Sequence, residues 1–305
     1  MVLSQIQNIA VNGAGNSKAG LIAGLRQLSN TPEQRGKLIL AVEGDNDIRF
    51  YGRFLNPDKI TIHQSRGCRK VTMELRNLTP MQLSLVRSFL IVILDADGIR
   101  LPGVTPKPMP DIVFQTDTRD WETTVMRDMP LSDFWTITLA QQAETLDLGK
   151  HLLDPLYIWS CTAAHCFIRQ YVHGINASAN MSGFDWRSHT GLSLADTLTA
   201  IKRMPANIKD GRTKSGVDEA LEESEIDQLL LSYTNVSPWD LHRGHNLVKG
   251  LCHRFMQVTR RQKKEKDMTI LLADSFLPEK FRATVLARNL ENYLRTRGVS
   301  NIWKT

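Results

Sequence analysis

The chain has 305 residues, 42% of them hydrophobic and 23% charged, with a formal net charge of +6. That length allows one large domain or two ordinary ones, and that balance excludes a disordered or fibrous chain. No apolar run approaches the roughly 20 residues needed to span a bilayer.

The first residues, MVLSQIQNIAVNGAGNSKAG, lack a basic start followed by a long apolar stretch, so no secretory signal is expected. The four cysteines (Cys68, Cys161, Cys166 and Cys252) contain no CxxC pair, which points to reduced thiols in a cytoplasmic protein without a membrane. A pI near 9.2 is compatible with a nucleic-acid partner without selecting one.

In chain order, Asn12 to Lys18 has the glycine content of a phosphate loop. It lacks the Gly-Lys-Ser/Thr ending that such a loop needs, so residues 1–30 read as a leader with a short helix over Lys18 to Leu28. An apolar strand is expected over Lys37 to Val42 and a helix over Ile48 to Leu55, with Ile48, Tyr51 and Leu55 on one face. Next come a strand over Lys59 to His63, a basic loop Arg66-Gly67-Cys68-Arg69-Lys70 and a helix over Val71 to Leu78. The run FLIVIL, Phe89 to Leu94, reads as a strand buried on both faces. Asp111 to Gln115 is a further short strand. This alternation predicts an α/β fold with a doubly wound, Rossmann-like parallel sheet over residues 31–130, its ligands beyond the carboxyl ends of the strands.

Residues 131–305 read as a mostly helical C-terminal half. Helices are expected over 131–148, 156–171, 192–204, 217–233, Pro238 to Arg260 and Pro278 to Arg297, with a loop over 174–191. Ser237-Pro238-Trp239-Asp240 has the N-cap, first-turn proline and early acid of a helix start.

Acids crowd where the first strand ends. Glu43 follows it directly, and Asp45 and Asp47 follow Gly44. Asp95 and Asp97 follow the third strand in LIVILDADG. In a parallel sheet these strand tips share one edge, so residues far apart in sequence can converge. Gly44 and Gly98 are expected to permit tight turns. Crowded carboxylates repel unless something positive sits among them, and a hard divalent cation, Mg²⁺ or Mn²⁺, wants oxygen ligands. Glu43, Asp47, Asp95 and Asp97 are therefore candidate metal ligands. Glu43 either completes the coordination or acts as general base or acid. Asp45 reads as a helix cap.

VEGDND followed by LDADG resembles the signature of the Toprim family, a glutamate after strand one and a DxD after strand three. The resemblance spans Leu38 to Gly98 and implies a Toprim catalytic domain of the kind found in topoisomerases, primases and OLD-type nucleases. Thr116 to Glu122, before a helical pattern, resembles the third acidic motif of Toprim proteins encoded beside ABC-type ATPases in phage-defence operons. It implies that Asp120 and Glu122 hold a second metal, Glu122 being otherwise an acid in a first helical turn. Asp240 to Leu247 resembles the Gly-His-Asp element of those proteins, with Asn246 where the aspartate usually stands. That lifts His245 to a candidate catalytic residue, while His242, expected on the same helix face, and His165 read as structural.

The resemblance implies a toxic endonuclease that cleaves host RNA, tRNA in particular, and is held inactive by an ABC-type ATPase partner until a phage protein triggers it. Its active form would be a homodimer. Two alternatives stay open: an OLD-like nuclease acting on DNA, and a catalytically silent scaffold that docks on the ATPase. A topoisomerase is disfavoured because no convincing strand-passage tyrosine is evident, and a primase because no zinc-ribbon cysteine set is present. Cationic contacts to nucleic acid are expected from Arg66, Arg69 and Lys70, and from Arg260, Arg261, Lys263 and Lys264. The latter run also reads as a solvated turn between helices.

Overall fold

The computed structural model describes residues 20–65, 68–129 and 231–304, together with positions 134, 160, 161, 163, 164, 168 and 228. The leader before residue 20, Arg66, His165, Cys166, the expected loop over 174–191 and nearly all of the helices expected between 131 and 230 lie outside the described residues. The chain divides into two compact units. One comprises the chain through Asp95, Lys107–Asp117 and Leu277–Thr305, and the other Ala96–Pro106 and Thr118–Phe276.

The first unit is built on four strands, β1 Leu38–Val42, β2 Ile60–Gln64, β3 Leu90–Leu94 and β4 Val113–Gln115. They form one parallel sheet in the order β2-β1-β3-β4. Leu38 pairs with Ile60 and Val42 with Gln64, while Ile39 pairs with Leu90 and Ala41 with Val92. β3 is buried at every position, as its unbroken apolar run requires. Helix α1 Leu21–Ser29 precedes β1, α2 Asp45–Gly52 joins β1 to β2, and α3 Cys68–Arg76 and α4 Pro80–Arg87 lie between β2 and β3.

The observed strands fall within two residues of the expected ones. The basic segment does not: α3 opens at Cys68, so Arg69 and Lys70 stand in its first turn rather than in a loop. α4 was not expected, although Thr79-Pro80-Met81-Gln82 carries its signal. The Gln82 N–H donates to Thr79 Oγ1 at 3.3 Å and the Thr79 N–H to Gln82 Oε1 at 2.9 Å, a reciprocal cap that satisfies two orphan amides.

Leu21, Leu25, Ile39, Ala41, Val71, Leu75, Val86, Leu90 and Val92 share one apolar core. Each fully buried Leu, Ile or Val contributes roughly 1.5–3 kcal/mol relative to exposure. Glu74 of α3 locks α1 onto this core, its two oxygens accepting from the Leu21 and Ile22 amides at 2.9 Å. A ring cluster joins Phe50, Tyr51 and Phe54 to Phe281, with Phe54 and Phe281 stacked at 4.2 Å.

The second unit contains α5 Trp121–Asp128, α6 Pro238–Leu241, α7 Gly244–Thr259 and α8 Glu265–Ser275. The last helices, α9 Pro278–Ala283 and α10 Val285–Arg295, belong to the sheet unit. α5 groups with the helical unit, and α9 and α10 with the sheet unit.

Two helices expected as continuous are broken. Pro238 to Arg260 parts at His242 and Arg243, whose backbones are extended (ψ 140° and 125°). Pro278 to Arg297 parts at Thr284, also extended (ψ 153°), whose Oγ1 accepts from the Ala287 N–H at 3.1 Å. Asp117 supplies the rest of that cap, accepting from the Val285 and Leu286 amides at 2.7 Å. Helical periodicity runs through both breaks, because the atoms that stabilise them come from elsewhere in the chain. Among the described residues, no helix is long and apolar enough to cross a membrane.

Candidate active site

The candidate residues fall in both units. Glu43, Asp47 and Asp95 belong to the sheet unit, and Asp97, Asp120, Glu122 and His245 to the helical unit.

At the sheet tips, the parallel register carries Glu43 level with the end of β3. There its Oε1 accepts from the Asp95 backbone N–H at 3.3 Å. Two acids separated by 52 residues thus stand together at the carboxyl ends of adjacent strands, the edge where parallel sheets bind ligands. The turn carrying Glu43 is fixed from within. Asp47, buried, accepts the Gly44 N–H on Oδ2 at 2.7 Å. Asp47 therefore holds the β1–α2 turn, the capping role expected of Asp45, which is instead exposed as the first residue of α2. Gly44 is extended at φ −140°, a conformation open to any residue.

The second turn also differs from expectation. The left-handed residue after β3 is Asp97, at φ 45°, and Gly98 is not among the positive-φ glycines. Aspartate tolerates this region better than most side chains because its short polar group bonds locally. The Asp97 N–H donates to the Arg119 carbonyl at 2.8 Å, which ties the DxD turn to the segment before α5. The Asp97 side chain reaches solvent, yet the protein around its carboxyl removes part of its hydration. That desolvation raises its pKa, opposed by the charges of Arg119 and Arg243 and assisted by Asp120.

Asp120 caps α5. Its Oδ1 accepts from the Thr123 N–H at 2.9 Å and from Thr123 Oγ1 at 2.8 Å. Its Oδ2 accepts from the Gly244 N–H at 2.7 Å. Buried and bonded on both oxygens, Asp120 holds the main chain together, and its environment is that of a structural cap more than of a ligand facing an ion. Arg119 reinforces the junction, its N–H donating to the Trp239 carbonyl at 3.1 Å and its Nη1 to the Leu241 carbonyl at 2.7 Å. The third acidic segment and the Gly-His segment are therefore brought together. Glu122 is half-buried on the first turn of α5. A Cβ on Gly244 would lie 2.3 Å from Asp120 Oδ1 and 2.5 Å from the Glu122 Cβ, so only glycine fits. A glycine inside an otherwise helical pattern was the available signal for that close approach.

His245 is exposed, with Nε2 3.5 Å from Glu265 Oε2 of α8. Burial and the nearby Lys249 charge lower its pKa, against the opposing effect of Glu265, so the ring is neutral at neutral pH. His242 does not share a helix face with it, since it stands at the break before α7. It is buried, with Nδ1 2.7 Å from Ser160 Oγ, and desolvation brings its pKa down to about 4. A structural histidine is what the sequence led us to expect there. The Cys252 thiol is pushed up to about 11 by burial and by Glu265, so it rests protonated at neutral pH.

Of the expected cationic contacts, Arg66 and the side chains of Arg69 and Lys70 lie outside the described residues. Arg260 to Lys264 form the turn between α7 and α8. Arg260 terminates α7 in the left-handed conformation (φ 57°), and Lys263 Nζ sits 5.1 Å from the Phe255 ring centre. Arg261 and Lys264 are exposed.

Among the described residues, no three Asp, Glu, His or Cys side chains gather into a group that could hold a metal ion. Mg²⁺ needs fewer, because it keeps several waters and takes one or two carboxylates. Glu43 and Asp95 are donors of that kind, so the ligand chemistry suits a hard divalent cation. Comparison of the chain with family models and with curated proteins gives no match.

Proposed function

We propose that the chain is a Toprim-type, metal-dependent endonuclease. Its motifs resemble those of AriB, the effector nuclease of the PARIS anti-phage system. In this reading it cleaves host tRNA to stop translation, and an ABC-type ATPase holds it inactive until infection. The observation that carries the reading is the contact of Glu43 with the Asp95 N–H at neighbouring parallel strand tips. Carboxylates at the carboxyl edge of a parallel sheet stand where ligands bind, and metal-assisted phosphodiester hydrolysis uses carboxylates of this kind.

Glu43 and Asp95 would hold a divalent cation, which would supply neutralisation of the phosphate charge. The remaining work falls to side chains. Where Glu43 is not a ligand of the cation, it serves as the base that takes a proton from the attacking nucleophile. Asp97, its carboxyl raised above the usual range, holds a proton more readily than an ordinary aspartate. Within the helical unit, the His245 ring, its pKa lowered, has an N–H to offer a phosphate oxygen of bound nucleic acid.

The experiment incubates the purified chain with Mg²⁺ or Mn²⁺ and either total tRNA or supercoiled plasmid, comparing wild type with Glu43→Ala. Metal-dependent tRNA fragments that vanish in Glu43→Ala are the expected result. Nicked plasmid with intact tRNA would move the assignment to DNA. Intact nucleic acid with every metal, also after co-expression with and release from an ABC-type ATPase partner, would leave the scaffold reading.

A further inference from the structure

α7 opens on Arg243-Gly244-His245. Gly244 is buried and pinned, its N–H bonded to Asp120 and its Cα pressed against Asp120 and Glu122. On either side of this anchor the side chains of Arg243 and His245 are exposed. The cations around them are committed elsewhere. Arg119 donates to the Leu241 carbonyl at 2.7 Å, Arg100 pairs with Asp240 at 3.1 Å, and Lys249 lies 4.0 Å from Glu265. Among the described residues, Arg243 has no carboxylate within ion-pair distance. Its charge nevertheless acts on Asp97, lowering the pKa of that carboxyl, and on His245.

A guanidinium presents a rigid fork of donors that matches two phosphate oxygens. Here Arg243 and His245 flank the pinned glycine, both exposed, and near enough for the Arg243 charge to act on the His245 ring. We propose that Arg243 grips a phosphodiester of the nucleic-acid substrate beside His245. The strand would then run past the turn that bears Glu122. This assignment rests on the nuclease reading above. An arginine kept only to balance Asp97 and Asp120 would contribute to stability and would not contact substrate.

The test measures equilibrium binding of a tRNA, and of a DNA strand of the same sequence, to the full chain carrying Glu43→Gln, across a salt series. Arg243→Ala and Arg243→Lys are added in turn, and Arg243→Ala is also assayed for cleavage in the otherwise unaltered chain. Arg243→Ala is expected to weaken RNA binding about ten-fold, in line with loss of a charged hydrogen bond. It should also reduce the slope of log affinity against log salt by about one. Lysine should restore the slope and only part of the affinity, and thermal unfolding should be unchanged. A parallel loss on DNA supports a grip on the shared backbone. Cleavage by Arg243→Ala with unaltered KM and salt slope overturns the role of Arg243 and leaves the nuclease reading standing. A wild-type chain that neither binds nor cuts either nucleic acid overturns both.

Discussion

The Gly244 backbone N–H donates to Asp120 Oδ2 at 2.7 Å, across 124 residues of sequence. One buried carboxylate thereby caps α5 and anchors the start of α7. Asp120→Ala removes the cap, which alone costs about 1 kcal/mol, and leaves the buried Gly244 N–H without an acceptor, about 1–3 kcal/mol more. Gly244→Ala should be comparably harmful from the opposite side, since the added methyl overlaps Asp120 and the Glu122 Cβ; overpacking of this kind costs about 1–3 kcal/mol. Urea unfolding of the two variants and of the double variant checks this. Because both lesions break one junction, the double loss should fall short of the sum.

Asp117 does the same for α10 in the sheet unit. Asp117→Ala uncaps the Val285 and Leu286 amides and should cost about 0.5–2 kcal/mol. Hydrogen exchange should rise selectively in the first turn of α10, while a uniform rise across the sheet would contradict a local role for the cap.

Glu43→Gln keeps an oxygen that can accept the Asp95 N–H while removing the charge. Its unfolding transition should match wild type, and its nuclease activity should fall by about 10²-fold or more, the usual size of a lost acid–base group. Chelation of divalent cations should abolish wild-type cleavage reversibly.

Two groups give opposite pH signatures. The folded-state pKa of His242 is depressed to about 4, so the unfolded chain binds the proton first. Stability is then complete above about pH 6.5 and is lost as pH falls toward 4, by up to about 3 kcal/mol. His242→Gln should flatten that window. The Asp97 pKa is raised, so the folded chain binds its proton first, and stability declines as pH rises from the ordinary carboxylate range through the raised value. Asp97→Asn, which tolerates the left-handed backbone, should therefore stabilise the chain at neutral pH while impairing cleavage. Chemical denaturation from pH 4 to 8 reads both effects.

The strands were legible because burial imposes composition: Leu90 to Leu94 can be unbroken hydrocarbon only in a sheet covered on both faces. The same pattern placed Glu43 and Asp95 after their strands, since parallel topology aligns strand ends. Sequence alone therefore determined the parallel α/β sheet and the acids at its tips. It did not reveal that His242 and Thr284 interrupt helices, that Asp47 rather than Asp45 holds the first turn, or that Asp97 rather than Gly98 adopts the left-handed backbone. Those outcomes depend on hydrogen-bond partners that are distant in sequence or chosen by side-chain geometry, such as Asp117 for α10 and Asp120 for Gly244. Periodicity reports which face of an element is buried. It carries no information about which remote carboxylate satisfies an orphan amide, and only the tertiary structure decided that.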